Sequence, residues 1–125
     1  MRILIVDDSA MMRSLIKRVV RLTNVPVEEV FEAGNGREAL AILETREVHL
    51  MLTDINMPVM NGADLLREIA RHDRWRGLGR VIISTDGSAA RREEAAGLDV
   101  DRYLEKPFTP EDLRNVLTDL VGVRS

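Results

Sequence analysis

Apolar positions recur along this chain in two alternating rhythms. "RILIV" (2–6) is the near-continuous run of a buried strand, and from about Ser9 onward Met12, Leu15, Ile16, Val19 and Val20 return at helical spacing. "PVEEVFEA" reads as a second strand with polar residues admitted, as an edge strand has. Asn35 can then cap a helix carrying Ala39, Leu40 and Leu43 on one face. "VHLMLTD" (48–54) is almost wholly apolar, as a central parallel strand must be, and a helix through Leu65, Leu66 and Ile69 follows it. After the polar loop "RHDRWRGLG" come a fourth strand, "RVIIS" (80–84), a short helix around 89–96, and a fifth strand within "DRYLEK". The last helix has the clearest start, with Thr109 as N-cap, Pro110 at the first helical position and Asp112 completing a T-x-x-D pattern. Its apolar face is Leu113, Val116, Leu117, Leu120 and Val121.

Five strand–helix pairs in strict alternation predict an α/β fold, a doubly wound five-stranded parallel sheet of flavodoxin-like (βα)5 type. The length of 125 residues makes this a single domain over 1–125, and no output domain is expected in the chain. Hydrophobic residues are 45% and charged residues 31%, the balance of a soluble globular protein. The absence of cysteine removes disulfides, thiolate metal sites and thiol nucleophiles, and fits a cytoplasmic location. "MRILIVDDSA" lacks a signal-peptide layout and no apolar run is long enough to span a bilayer. A net charge of −3 and an aromatic content of 3% argue against direct nucleic-acid binding, which needs a basic face and stacking platforms.

In an open parallel sheet, ligands bind beyond the carboxyl ends of the strands, where the strand order reverses. Here the first strand ends in Asp7-Asp8, the third in Asp54, the fourth in Ser84-Thr85 and the fifth in Lys106-Pro107. Each alone has a bland explanation: an acid starts a helix, an acid opens a turn, a lysine sits in solvent. Together they bring charged or hydrogen-bonding groups from four strands to one rim. In the order 2-1-3-4-5 the three acids face one another across the switch point. Like charges roughly 5 Å apart at an effective dielectric of about 20 repel by about 3 kcal/mol per pair. Three carboxylates against one lysine therefore either protonate an acid or recruit a cation. An all-oxygen set suits a hard ion, Mg²⁺ or Mn²⁺. His49 and His72 fall away from the rim and read as structural or surface residues.

These residues resemble the receiver domain of two-component response regulators over essentially the whole chain. The likeness is carried by "ILIVDDS" (3–9), "LTDINMPVMNG" (52–62) and "YLEKPF" (103–108). It implies that Asp54 is the phosphoacceptor, and that Asp8 binds Mg²⁺ directly with Asp7 partly through water. The backbone carbonyl of Asn56 would be a further ligand. Lys106 would pair with the phosphoryl group, and the Lys106–Pro107 bond would be cis. Family spacing selects Ser84 as the switch hydroxyl, or Thr85 if the register slips, because "GLDVDRY" is two residues longer than the usual pattern. Tyr103 matches the switch aromatic. Asn56 and Asp86, each two residues past a site residue, flank the path of an attacking water and would tune dephosphorylation.

The resemblance further implies partners: a histidine kinase or phosphotransfer protein upstream, docking near Met11, Met12 and Leu15, and a protein effector downstream. Such a domain is not an enzyme in the usual sense. It is a phosphorelay phosphoprotein that catalyses its own phosphorylation and dephosphorylation. The main alternative is a phosphorylation-independent docking module of the same fold. A flavodoxin-like electron carrier is disfavoured by the acidic "DDSAMM" after the first strand. A dehalogenase-type phosphatase would need D-x-D where this chain has "DIN". Trp75, in an arginine-rich loop, reads as packing on its own domain rather than on a partner.

Overall fold

The computed structural model describes residues 1–120. In chain order the elements are β1 (Arg2–Val6), α1 (Ala10–Leu22), β2 (Glu29–Ala33), α2 (Gly36–Thr45), β3 (Leu50–Thr53), α3 (Gly62–Ala70), a 3₁₀ turn (Asp73–Trp75), β4 (Gly79–Ser84), α4 (Ala89–Ala96), β5 (Arg102–Glu105) and α5 (Pro110–Leu120). The five strands are parallel in the order β2-β1-β3-β4-β5, with Leu4 beside Met51, Leu52 beside Val81, and Ile82 beside Tyr103. The central strands β3 and β4 are buried throughout, whereas the edge strands β2 and β5 keep polar, exposed positions.

Alternation along the strands divides the core in two. Ile3, Ile5, Leu52, Val81 and Ile83 pack with α1 and α5, through Ile16, Val20, Leu113 and Leu117. Leu4, Val6, Met51 and Ile82 pack with α2, α3 and α4, through Leu43, Leu65, Leu66, Ile69 and Ala95. Side-chain caps open the helices: Ser9 accepts from Met12 N–H, Asn35 from Glu38 N–H and Asn61 from Asp64 N–H. Thr109 and Asp112 exchange reciprocal bonds of 3.0 and 3.1 Å, the capping box that the sequence shows.

The structure decides several positions of the sequence reading, agreeing with it at Trp75, the two histidines and the Lys106–Pro107 bond. Leu15 is exposed rather than core, because α1 turns Ile16 and Val20 to the sheet and leaves Leu15 on the rim of a surface groove. Val121 lies outside the described residues. Trp75 is buried, and its Nε1–H donates to the Leu43 carbonyl at 3.3 Å. His49 precedes β3 and accepts the Arg2 N–H on Nδ1, and His72 lies beside Glu68 and the Trp75 ring. The Lys106–Pro107 bond is cis.

A feature the sequence hides is Arg80, 2% exposed near the start of β4. Its guanidinium donates to Asp99 at 2.8 Å and to the Trp75 carbonyl at 2.9 Å. Its N–H donates to the Asp101 carboxylate at 2.8 Å. The longer segment after α4 thus serves to fold back on β4: Leu98 is buried and Asp99 adopts φ 58°.

Candidate functional site

β1 and β3 are neighbours, so the sheet register brings their carboxyl ends side by side. The Asp54 N–H donates to the Val6 carbonyl and the Asp7 N–H to the Ala33 carbonyl, carrying the strand ladder one residue past each strand. Asp7, Asp8 and Asp54 then present carboxylate oxygens that all lie within 4.8 Å of one another. Lys106, arriving from β5, places Nζ 3.1 Å from Asp7 and 3.7 Å from Asp54, with its side chain largely buried. Its backbone N–H donates to the Ser84 carbonyl, which ties the lysine to the end of β4.

Each acid has a different environment. Asp7 is 2% exposed; one oxygen accepts the Ser9 N–H at 2.9 Å and the other faces Lys106. Arg13 donates to its carbonyl at 2.6 Å while reaching Glu32, a brace that nothing in the helical pattern announces. Asp8 is exposed. Asp54 is half-buried and accepts the Ile55 N–H at 2.7 Å. Burial pushes its carboxyl above the ordinary value against the pull of Lys106, and Asp7 and Asp8 add to the rise.

The backbone beyond Asp54 is fixed by close packing. Its carbonyl accepts the Thr53 hydroxyl at 2.9 Å and lies against Gly62, where a Cβ would overlap the oxygen. The Gly62 N–H closes the turn onto the Ile55 carbonyl at 2.7 Å. The glycine of "MNG" is therefore required by contact with the Asp54 backbone, a role the sequence shows only as a turn signal. Asn56 is exposed at the start of this loop.

At the end of β4, Ser84 is buried and turned to the α2–α4 face, and its Oγ accepts the Asp86 N–H at 3.1 Å. Thr85 is exposed on the opposite face, lining a cavity of about 330 Å³ with Met12, Leu15, Val19, Lys106, Pro107 and Phe108. The Tyr103 hydroxyl donates to the Asp86 carbonyl. The Asp86 carboxylate accepts the Ser88 N–H at 3.0 Å and pairs with Arg91 at 3.3 Å. These partners hold its carboxyl below the ordinary value, the Ser88 hydrogen bonds first.

The donor set fits a small hard cation. Ligand oxygens opposed across an octahedral Mg²⁺ are about 4 Å apart, so a trio within 4.8 Å closes on such an ion with small side-chain rotations. Three carboxylates against one ammonium also leave a negative surplus for the ion to cancel.

Comparison with known proteins agrees with this geometry. The family model for the response regulator receiver domain matches residues 3–118. A chemotaxis protein CheY homolog of Campylobacter jejuni is 36% identical over 126 aligned residues, covering 100% of this chain and 95% of that protein. Chemotaxis protein CheY1 of Helicobacter pylori is 37% identical, covering 98% of each. The solved structure of chemotaxis response regulator CheY4 of Vibrio cholerae superposes with a TM-score of 0.83 at 28% identity, covering 95% of this chain and 97% of that one.

Proposed function

The chain belongs to the response regulator receiver domain family, and on that premise we propose that Asp54 accepts a phosphoryl group and that the adduct switches a protein-docking surface. The observation that carries this reading is the convergence of Asp7, Asp8 and Asp54 with the buried Lys106 at one end of the sheet. The donor is a histidine kinase, a phosphotransfer protein or a small phosphodonor.

In the transfer, an Asp54 carboxylate oxygen attacks phosphorus. The bond from phosphorus to the donor's imidazole nitrogen or acyl oxygen breaks, and the leaving group keeps the electron pair. Mg²⁺, or Mn²⁺ on the same oxygens, would be held by Asp8, Asp54, the Asn56 carbonyl and, partly through water, Asp7, and would neutralise the transferring oxygens. Lys106 exchanges its contact with Asp7 and Asp54 for a phosphoryl oxygen. Ser84 Oγ spends a lone pair on the Asp86 N–H, so its own proton is free to be donated to the phosphoryl group. Tyr103 and the surface of α4, β5 and α5 then relay the change to an effector.

The domain turns over no separate substrate; it catalyses its own phosphorylation and dephosphorylation. Asn56 and Asp86 orient the hydrolytic water and limit the lifetime of the adduct, and an unchanged decay rate in Asn56→Leu/Asp86→Leu would sink that assignment. The upstream partner docks where Met12 and Leu15 line the groove beside Lys106, next to Met11, which is 84% exposed. Intact mass after incubation with acetyl phosphate tests the whole reading. A single phosphoryl adduct that needs Mg²⁺ and is lost in Asp54→Ala is expected. No adduct would leave a phosphorylation-independent docking module.

A further inference from the structure

We propose that Arg91 and Arg92 form a polar latch that holds α4 on the sheet and, through Asp86 and Tyr103, positions the Ser84 end of β4. The inference builds on the phosphoacceptor reading above, and adds the residues that govern its switch.

Little else holds α4. Its sequence, "AARREEAA", buries only Ala95. A single methyl group contributes on the order of 1 kcal/mol, too little to fix an eight-residue helix. What the helix has instead are two arginine side chains reaching back to the loop and strand beside it. Arg91 Nε meets the Asp86 carboxylate at 3.3 Å. Arg92 Nε donates to the Gly87 carbonyl at 3.3 Å, and its Nη2 lies 3.5 Å from Glu105. The Arg92 guanidinium also covers the Tyr103 ring, 4.7 Å from the centroid.

The anchor points are the groups a phosphoryl signal would move. Asp86 gives its N–H to Ser84 Oγ, its carbonyl to the Tyr103 hydroxyl and its carboxylate to Arg91 and Ser88. Drawing Ser84 toward a phosphoryl group pulls on the residue that Arg91 holds outward. Phosphorylation therefore works against the latch, and a weaker latch lowers the barrier of a transfer that draws Ser84 inward.

The test uses the full chain with Arg91→Ala/Arg92→Ala and Arg91→Lys/Arg92→Lys, read first by amide hydrogen exchange without a phosphodonor. The latch predicts that residues 89–96 exchange about 3–10-fold faster in the double alanine variant, the effect of losing two or three surface contacts. Exchange in α3 stays unchanged, and the lysine pair restores part of the protection. If the arginines were merely solvated, alanine would strengthen the helix through its higher propensity and slow exchange. Slower or equal exchange overturns the latch. The second reading is the rate of Asp54 phosphorylation by acetyl phosphate, expected to rise about 2–5-fold in the alanine pair. An unchanged or lower rate overturns the coupling. Should the native chain take no phosphoryl group at all, the phosphoacceptor reading falls, while the exchange comparison still decides the latch.

Discussion

α3 and α4 cover the same face of the sheet and are nearly the same length, yet they are attached by different physics. α3 buries Gly62, Ala63, Leu65, Leu66 and Ile69, and its first residue lies against the Asp54 carbonyl. α4 buries Ala95 alone and reaches its neighbours through charged side chains. Apolar burial is non-directional and hard to reverse in part, whereas exposed ion pairs are individually weak. The helix behind Asp54 is thus part of the rigid frame, and the helix beyond Ser84 comes from the low-stability end of the fold. A receiver needs both, one to hold geometry for chemistry and one to change at small cost.

That contrast can be attacked in order of expected effect. Leu66→Ala should cost about 3 kcal/mol of global stability in urea denaturation, since it empties a fully buried site in α3. Arg80→Ala should cost about 2 kcal/mol, because it removes a buried cation that donates to Asp99 and to the Trp75 carbonyl and so loosens the segment after α4. Ala95→Gly should cost no more than about 1 kcal/mol, with the added exchange confined to α4. A global loss as large as that of Leu66→Ala would mean that α4 belongs to the frame after all.

Asp54→Asn should do the reverse and raise the melting temperature by about 2 °C at neutral pH. The sign follows from the raised carboxyl: the native state binds this proton more tightly than the unfolded chain does. Stability therefore falls as pH rises from the ordinary carboxylate range to the raised value, and the deficit stays constant above it. Below that range both states are protonated, and the advantage of asparagine should vanish. The smallest effect is that of salt: about 0.5 M NaCl should speed exchange in α4 by roughly 2-fold and leave α3 unaltered.

Much of this was readable in the sequence, for reasons that differ by residue. The strands announced themselves because buried parallel strands have no polar face to interrupt the run. The sheet order brought Asp7, Asp8, Asp54 and Lys106 together because all of them sit at strand ends, where position along the chain fixes position in space. Caps such as Asn35 and Thr109 are local and so are legible locally. Arg80 was not legible, since an arginine at a strand start reads as solvent-facing, and the partner that permits its burial, Asp99, lies far along the chain. Leu15 was legible only as core or docking face, and it is exposed because the apolar arc of α1 is wider than the core it meets, with the surplus lining a groove. The Ser88 and Arg91 partners of the Asp86 carboxylate were not legible either, since they are set by how the next helix begins.

The protein's one tryptophan has a spectroscopic consequence. Trp75 is packed under Arg74 and His72 with its indole on the α2 backbone, on the rigid side of the molecule. Its emission should follow global unfolding faithfully and stay nearly silent when α4 lets go. A flat fluorescence trace on adding phosphodonor would therefore be the normal signature of a working switch. A fluorophore introduced on α4 should report the event that the native indole does not see.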